Sequence, residues 1–285
     1  MQFPISRRND NSDVHELMDV SIVSNQIEIF KQLVRHEFPA DFLLAAEIQQ
    51  LQSFTIPNGT KLLHSTGEFE KHSLKRLDDT RAILYHMGEH DFYSKEAEEM
   101  AAHLNKIHGM YNIPNDEFLY TLSGFIFELK EFINNYGWRK LTRNEELAVF
   151  HIYRRMGELM QIKNIPDSIE EYEEWKLAYE NKHQSFSENN HLVSEGLMHG
   201  MKQMVPAFIG PFLAPFIFSL IDKKYSYLLG YKHPNMFTRR FFKSLMSIRR
   251  QFNKHFTIWD RLNFEKLVFT HYQTCLLYTS DAADD

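Results

Sequence analysis

The sequence predicts a single all-α domain, and three observations carry that prediction. Apolar residues recur at three- and four-residue intervals along most of the 285-residue chain, the spacing of one buried helix face. Helix-starting residues stand ahead of these runs. Gly and Pro number only 11 and 9, too few for the many turns of a β sandwich. No segment alternates apolar and polar residues as a half-buried strand does, and no internal repeat is visible.

The elements follow in order. Residues 1–20 are polar, and Leu17, Ile22, Ile27, Phe30 and Val34 predict a helical stripe over 14–34. Pro39 opens a helix over 40–54 with Phe42, Leu43, Ala46 and Leu51 on its buried face. Pro57-Asn58-Gly59 reads as a turn. Helices are expected from Lys61, over 68–87 and over 94–108, the last capped by Ser94 without a full capping box. Asn115-Asp116 caps 117–136. Thr142 and Glu145 form a complete capping box before 146–160. Pro166-Asp167-Ser168 caps 169–181.

Val205 to Ile221 is the most apolar stretch and spans 17 residues. It is short for a membrane span and is broken by Pro206, Pro211 and Pro215. A buried core helix or pocket wall is expected, with an interfacial membrane patch as the alternative. Next come Arg239, Arg240, Lys243, Arg249, Arg250 and Lys254, interleaved with Phe241, Phe242, Leu245 and Ile248. This is either a solvated amphipathic helix or a surface for anionic lipid headgroups.

Composition narrows the function classes. Hydrophobic residues make up 43% and charged residues 25%, a globular rather than a disordered profile. The net charge of −6 gives no global basic field for nucleic acid. Cys275 is the sole cysteine, so an intramolecular disulfide and thiolate zinc or iron–sulfur sites are excluded. The start, MQFPISRRND, lacks the apolar core of a secretory signal, and an intracellular protein with some membrane contact is expected. The chain divides into a polar segment and first helix (1–35), a helical domain (36–274) and a compositionally distinct tail (275–285). That tail, CLLYTSDAADD, is expected to be non-native.

Few residues carry chemistry. Arg76 and Thr80 are four apart and share a helix face. An Arg beside a cofactor can polarise a ligand, and a Thr hydroxyl can donate or accept. His108 closes a predicted helix among Ile107, Met110 and Tyr111, where a neutral imidazole could reach a metal. On residue type alone, a structural histidine is the simpler reading. His86 and His90 are four apart but lack a third ligand. His103, His151, His183, His191 and His199 show no usable spacing. Asn58-Gly59-Thr60 fits a glycosylation sequon but reads as a plain turn. No phosphate loop or nucleophile elbow is present.

Several segments resemble one family in order: HEFPADFLLA, KRLDDT, KIHGMYNIPNDEFLYTL, YGWRKLTRNEELAVF and RMGELMQIKNIPDSIEEYEEW. Together they cover about Glu37 to Trp175, and a weaker match runs on to LLGYKHP at Pro234. They are similar to the MpaB-type and rubber-oxygenase family. The resemblance implies an all-α fold around one b-type haem. It implies His108 as the proximal iron ligand, and Arg76 and Thr80 on the distal side. It also implies an oxygenase that uses O₂ on an apolar, isoprenoid or lipid-like alkene. The rubber oxygenases carry a Lys directly before the Thr, where this chain has Asp79. Their upstream catalytic Glu has no alignable counterpart, although Glu68 and Glu70 lie nearby. Trp138 is expected in the core, and Arg139 in a structural pairing or against a haem propionate. The alternatives are a haem protein of another, peroxidase-like or non-catalytic kind, and a membrane-surface binding protein.

Overall fold

The computed structural model describes residues 6–257, with the backbone alone at Ser6 and within 83–90. The chain runs β1 (Ser6–Arg7), α1 (Ser12–Leu17), α2 (Val23–Gln32), a π-helical turn (Leu33–Glu37), α3 (Pro39–Ser53), α4 (Pro57–Thr66), α5 (Glu68–Lys71) and α6 (Ser73–His90). It continues through α7 (Lys95–His108), α8 (Asn115–Tyr136), α9 (Arg143–Leu159), α10 (Ile169–His183) and α11 (Glu188–Gln203). It closes with α12 (Gly210–Leu220), α13 (Lys223–Leu228), α14 (Met236–His255) and β2 (Phe256–Thr257). The fold is all-α. Among the described residues, the two short strands form one antiparallel pair, Ser6 opposite Thr257 and Arg7 opposite Phe256.

Local chemistry sets the boundaries. Thr142 and Glu145 make the expected reciprocal capping box at α9, and the Ser94 hydroxyl accepts from the Ala97 amide at α7, each satisfying a backbone donor left free at the helix start. The single helix expected over 14–34 is instead broken between α1 and α2. Asp19 accepts from the Ser21 amide at 2.9 Å and hydroxyl at 2.7 Å, a local turn that competes with helix. Leu17 and Ile22 consequently face solvent rather than the core. Pro57-Asn58-Gly59 is the first turn of α4 rather than a loop, because a proline at the first helical position loses no intrahelical bond.

The longest stretch of shared core lies where α3 crosses α8. Gly124 on α8 permits this approach, since a Cβ there would sit 2.5 Å from the Gln49 side chain. Gln49 in turn donates to the Thr121 carbonyl. A second close crossing brings α11 over α5 and α6. A Cβ on Gly196 would meet the Phe69 carbonyl oxygen at 2.3 Å, and one on Gly200 would meet Leu77 Cδ1 at 2.7 Å. Gly196 and Gly200 are four apart on one face of α11, so this helix lies directly on the backbone that carries Arg76 and Thr80.

The apolar segment Val205–Ile221 splits in two. Ile217, Phe218 and Leu220 are buried in the core, while Phe208, Ile209 and Phe212 are exposed. No helix among the described residues is long and apolar enough to cross a membrane.

Candidate functional site

A cavity of about 250 Å³ opens between α3, α4, α6, α7, α8 and α9, and His108, Arg76 and Thr80 all line it. Three residues from two separate sequence segments thus meet on one surface. Apolar side chains, among them Phe54, Leu63, Phe69, Leu77 and Phe125, form much of the remaining wall.

His108 is the last residue of α7. Its ring lies 5.2 Å from that of Phe118. The Nδ1 atom is buried and has no hydrogen-bond partner among the described residues, a costly state that native proteins normally avoid. Burial lowers the His108 pKa, and the positive charge of Arg76 lowers it further. Both effects favour the neutral imidazole, the form that binds a metal.

Arg76 and Thr80 sit one turn apart on α6. The Arg76 guanidinium donates to the Thr80 hydroxyl, which donates to the Arg76 carbonyl at 3.0 Å. The guanidinium carbon also lies 5.2 Å from the Phe69 ring centre. Burial lowers the Arg76 pKa, and Asp79 and Glu68 partly restore it. Asp79 itself pairs with Lys75 at 2.8 Å, and among the described residues no carboxylate forms an ion pair with Arg76. A cation without an ion-pair partner in an apolar wall is a place for an anionic or electron-rich ligand.

Glu47 and Arg81 also line the cavity, and sequence reasoning missed both. Arg81 Nε donates to Glu47 Oε1 at 2.7 Å, and its Nη1 reaches Met204 Sδ at 2.9 Å. Glu47 Oε2 is buried without a partner among the described residues. Burial raises the Glu47 pKa, and Arg81 opposes the rise. The available signal was a lone acid within AAEIQQLQSF, which otherwise reads as core. Glu68 and Glu70, which lie nearby in the sequence, do not line the cavity, and Glu70 pairs with His64 at 2.7 Å.

Arg139 does not line this cavity and takes up the structural pairing expected of it. It pairs with Glu37, Glu145 and Asp10, and His15 Nδ1 completes the cluster at 2.7 Å from Glu145. The ligand atoms of His15, Glu37 and Glu145 lie within 4.8 Å of one another, but the Arg139 guanidinium already supplies their positive charge. Burial alone would raise the Glu145 pKa, but hydrogen bonds from His15 and Arg139 outweigh it and hold the carboxyl at about 2. Trp138 is buried as expected and donates to the Glu37 carbonyl at 3.1 Å.

Other expectations fall away from the cavity. No residue of Val205–Ile221 lines it; the tertiary path of α12 carries that segment elsewhere. His103 is exposed, His191 is engaged by the Leu229 carbonyl, and His183 stacks on Tyr179. The side chains of His86 and His90, and the whole of 258–285 including Cys275, lie outside the described residues.

Residues 43–251 match the family model described as ER-bound oxygenase mpaB/B'/Rubber oxygenase, catalytic domain. Among curated proteins, the chain is similar to the ER-bound oxygenase mpaB' of Penicillium brevicompactum. The two are 26% identical over 78% of this chain and 57% of the relative. It is also similar to the ER-bound oxygenase mpaB of the same organism, at 30% identity over 54% of this chain and 44% of the relative. The mpaB of Penicillium roqueforti (strain FM164) is 29% identical over 55% of this chain and 58% of the relative. The chain spans about half the length of the curated relatives it matches.

Proposed function

The chain belongs to the ER-bound oxygenase mpaB/B'/rubber oxygenase family, and on that premise we propose that it is a haem-dependent oxygenase acting with O₂ on an apolar, isoprenoid or lipid-like alkene. The observation that carries the reading is His108 Nδ1, a buried nitrogen with no partner among the described residues, on the cavity shared by Arg76 and Thr80. The residues present fit a b-type haem. His108 offers a neutral imidazole to iron, and the Arg76 cation suits a carboxylate or a polarised ligand.

The haem, when bound, supplies the oxygen activation that amino-acid side chains lack. The residues of the chain supply the setting. Thr80 Oγ1, held by Arg76, places a hydroxyl beside the cavity. Arg76 contributes fixed positive charge where electron density would gather. Glu47 Oε2 can take up and hold a proton, and Arg81 keeps that carboxyl in place. The apolar wall excludes water and accepts an apolar substrate. Such substrates partition into lipid, so the reading includes peripheral membrane contact.

The test is an absorption spectrum of protein purified from haem-sufficient cells, wild type beside His108→Ala. A Soret band present in the wild type and lost or shifted in the variant is the expected result. A wild type that stays colourless after haem titration overturns the reading. A variant with the wild-type spectrum moves the iron ligand away from His108.

A further inference from the structure

We propose that the outer face of α14 is a docking surface for an anionic phospholipid bilayer. This rests on the peripheral membrane contact in the functional reading, but not on haem. From Met236 to His255 the helix carries six Lys and Arg and no Asp or Glu, within a chain of net charge −6. The structure divides its residues between two faces. Phe242 and Met246 are buried, and the Phe242 ring meets Phe216 of α12 at 5.5 Å. Arg249 also faces inward, where it binds both oxygens of buried Asp41 at 2.8 and 2.7 Å.

A second face, about a quarter turn around the helix from the buried one, is apolar and exposed. Phe237, Phe241, Leu245, Ile248 and Phe252 are all exposed, Phe237 by 77% and Ile248 by 66%. Their spacing of four, four, three and four makes one continuous stripe, roughly 22 Å long at ~1.5 Å per residue. Arg240, Lys243 and Lys254 are exposed on the same helix, and among the described residues none of the three is in an ion pair. At the start of the neighbouring helix α12, Phe208 and Phe212 are exposed as well.

An exposed helix with large aromatic side chains along one side and unpaired cations around the rest of its outer surface matches the interfacial region of a bilayer. The rings enter the acyl boundary while Lys and Arg meet phosphate and carboxylate headgroups. Charge selects the occupant, because a helix face with cations and no acids favours a dense anionic layer.

The experiment is vesicle flotation of the full chain. Vesicles of phosphatidylcholine alone are compared with vesicles of phosphatidylcholine and phosphatidylserine. Wild type is expected to float with the mixed vesicles, at least about tenfold more tightly than with neutral ones, since each cation near an anionic surface contributes roughly fivefold in affinity. Added salt should weaken that binding. Phe241→Ser with Ile248→Ser should lose about tenfold or more, because two apolar side chains that enter the bilayer are removed. Arg240→Glu with Lys243→Glu should abolish the preference for anionic vesicles.

Wild type that does not float, binding equal on both vesicle types, or variants that bind like wild type would each overturn the proposal. A non-floating wild type whose self-association is lost in the Phe241→Ser, Ile248→Ser variant would assign the stripe to a second copy of the chain instead. A Soret band in protein that does not float leaves the oxygenase reading standing. Colourless protein that floats leaves the docking surface standing.

Discussion

Replacing Glu128 by Gln should stabilise the protein at alkaline pH and leave the cavity untouched. Glu128 lies on α8, in a polar pocket on another side of α3 that also holds Lys176, Glu180 and Tyr225. Burial raises its carboxyl from 4.5 to about 7, although Lys176 at 3.7 Å opposes the rise. The folded pKa therefore exceeds the unfolded one. Stability from the protonated carboxyl is complete below about 4.5 and is lost as pH rises through about 7. At ~1.4 kcal/mol per pH unit, the loss reaches about 3 kcal/mol above pH 7. The amide of the Glu128→Gln variant cannot ionise, keeps the shape of the carboxyl, and leaves Lys176 its closer partner Glu180 at 2.6 Å. Thermal melts from pH 4 to pH 8.5 should show no difference at the acid end. At the alkaline end the variant should melt higher by roughly 5 °C for a chain of this size. Equal melting temperatures across the range, or a variant less stable at high pH, would refute the claim that Glu128 is buried at an energetic cost. Because the pocket is separate from the His108 cavity, any Soret band of the wild type should be shared by the variant.

Two further substitutions probe how the site is held. Gly200→Ala drives a methyl against Leu77 and the Ser73 backbone, so it should cost about 1–3 kcal/mol in denaturant unfolding and displace the helix that carries Arg76; an unchanged midpoint would show that α11 and α6 do not need that close approach. Arg249→Ala leaves Asp41 buried without its bidentate partner and should cost about 3 kcal/mol, with faster protease cleavage near α14; a variant as stable as wild type would mean that α14 is held by packing alone.

Much of the helical framework was legible because its signals are local. The Thr142–Glu145 box and the Ser94 cap act within a few residues, so spacing alone reveals them. The broken first helix was also a local event, but Asp19 and Ser21 sit inside an apolar periodicity that masks a turn. Gly196 and Gly200 are inconspicuous in the sequence, since their importance depends on which backbone crosses them.

The site divides the same way. The four-residue spacing of Arg76 and Thr80 and the setting of His108 were visible in the sequence, and the family resemblance joined them. Their convergence on one cavity, the lack of a partner for His108 Nδ1 among the described residues, and the presence of Glu47 and Arg81 on the same wall are tertiary facts. They arise from α3, α6 and α7 meeting in space, although α4 and α5 separate α3 from the other two in the chain. The same reason separates Arg139, absorbed by Glu37 and Glu145, from the cavity residues that it resembles by type. By itself the sequence determined the helix periodicity, the caps, the charge of α14 and the chemistry available. Only the tertiary structure decided which charges were neutralised inside and which aromatic rings of α14 faced water, because burial and pairing depend on neighbours that sequence spacing does not specify.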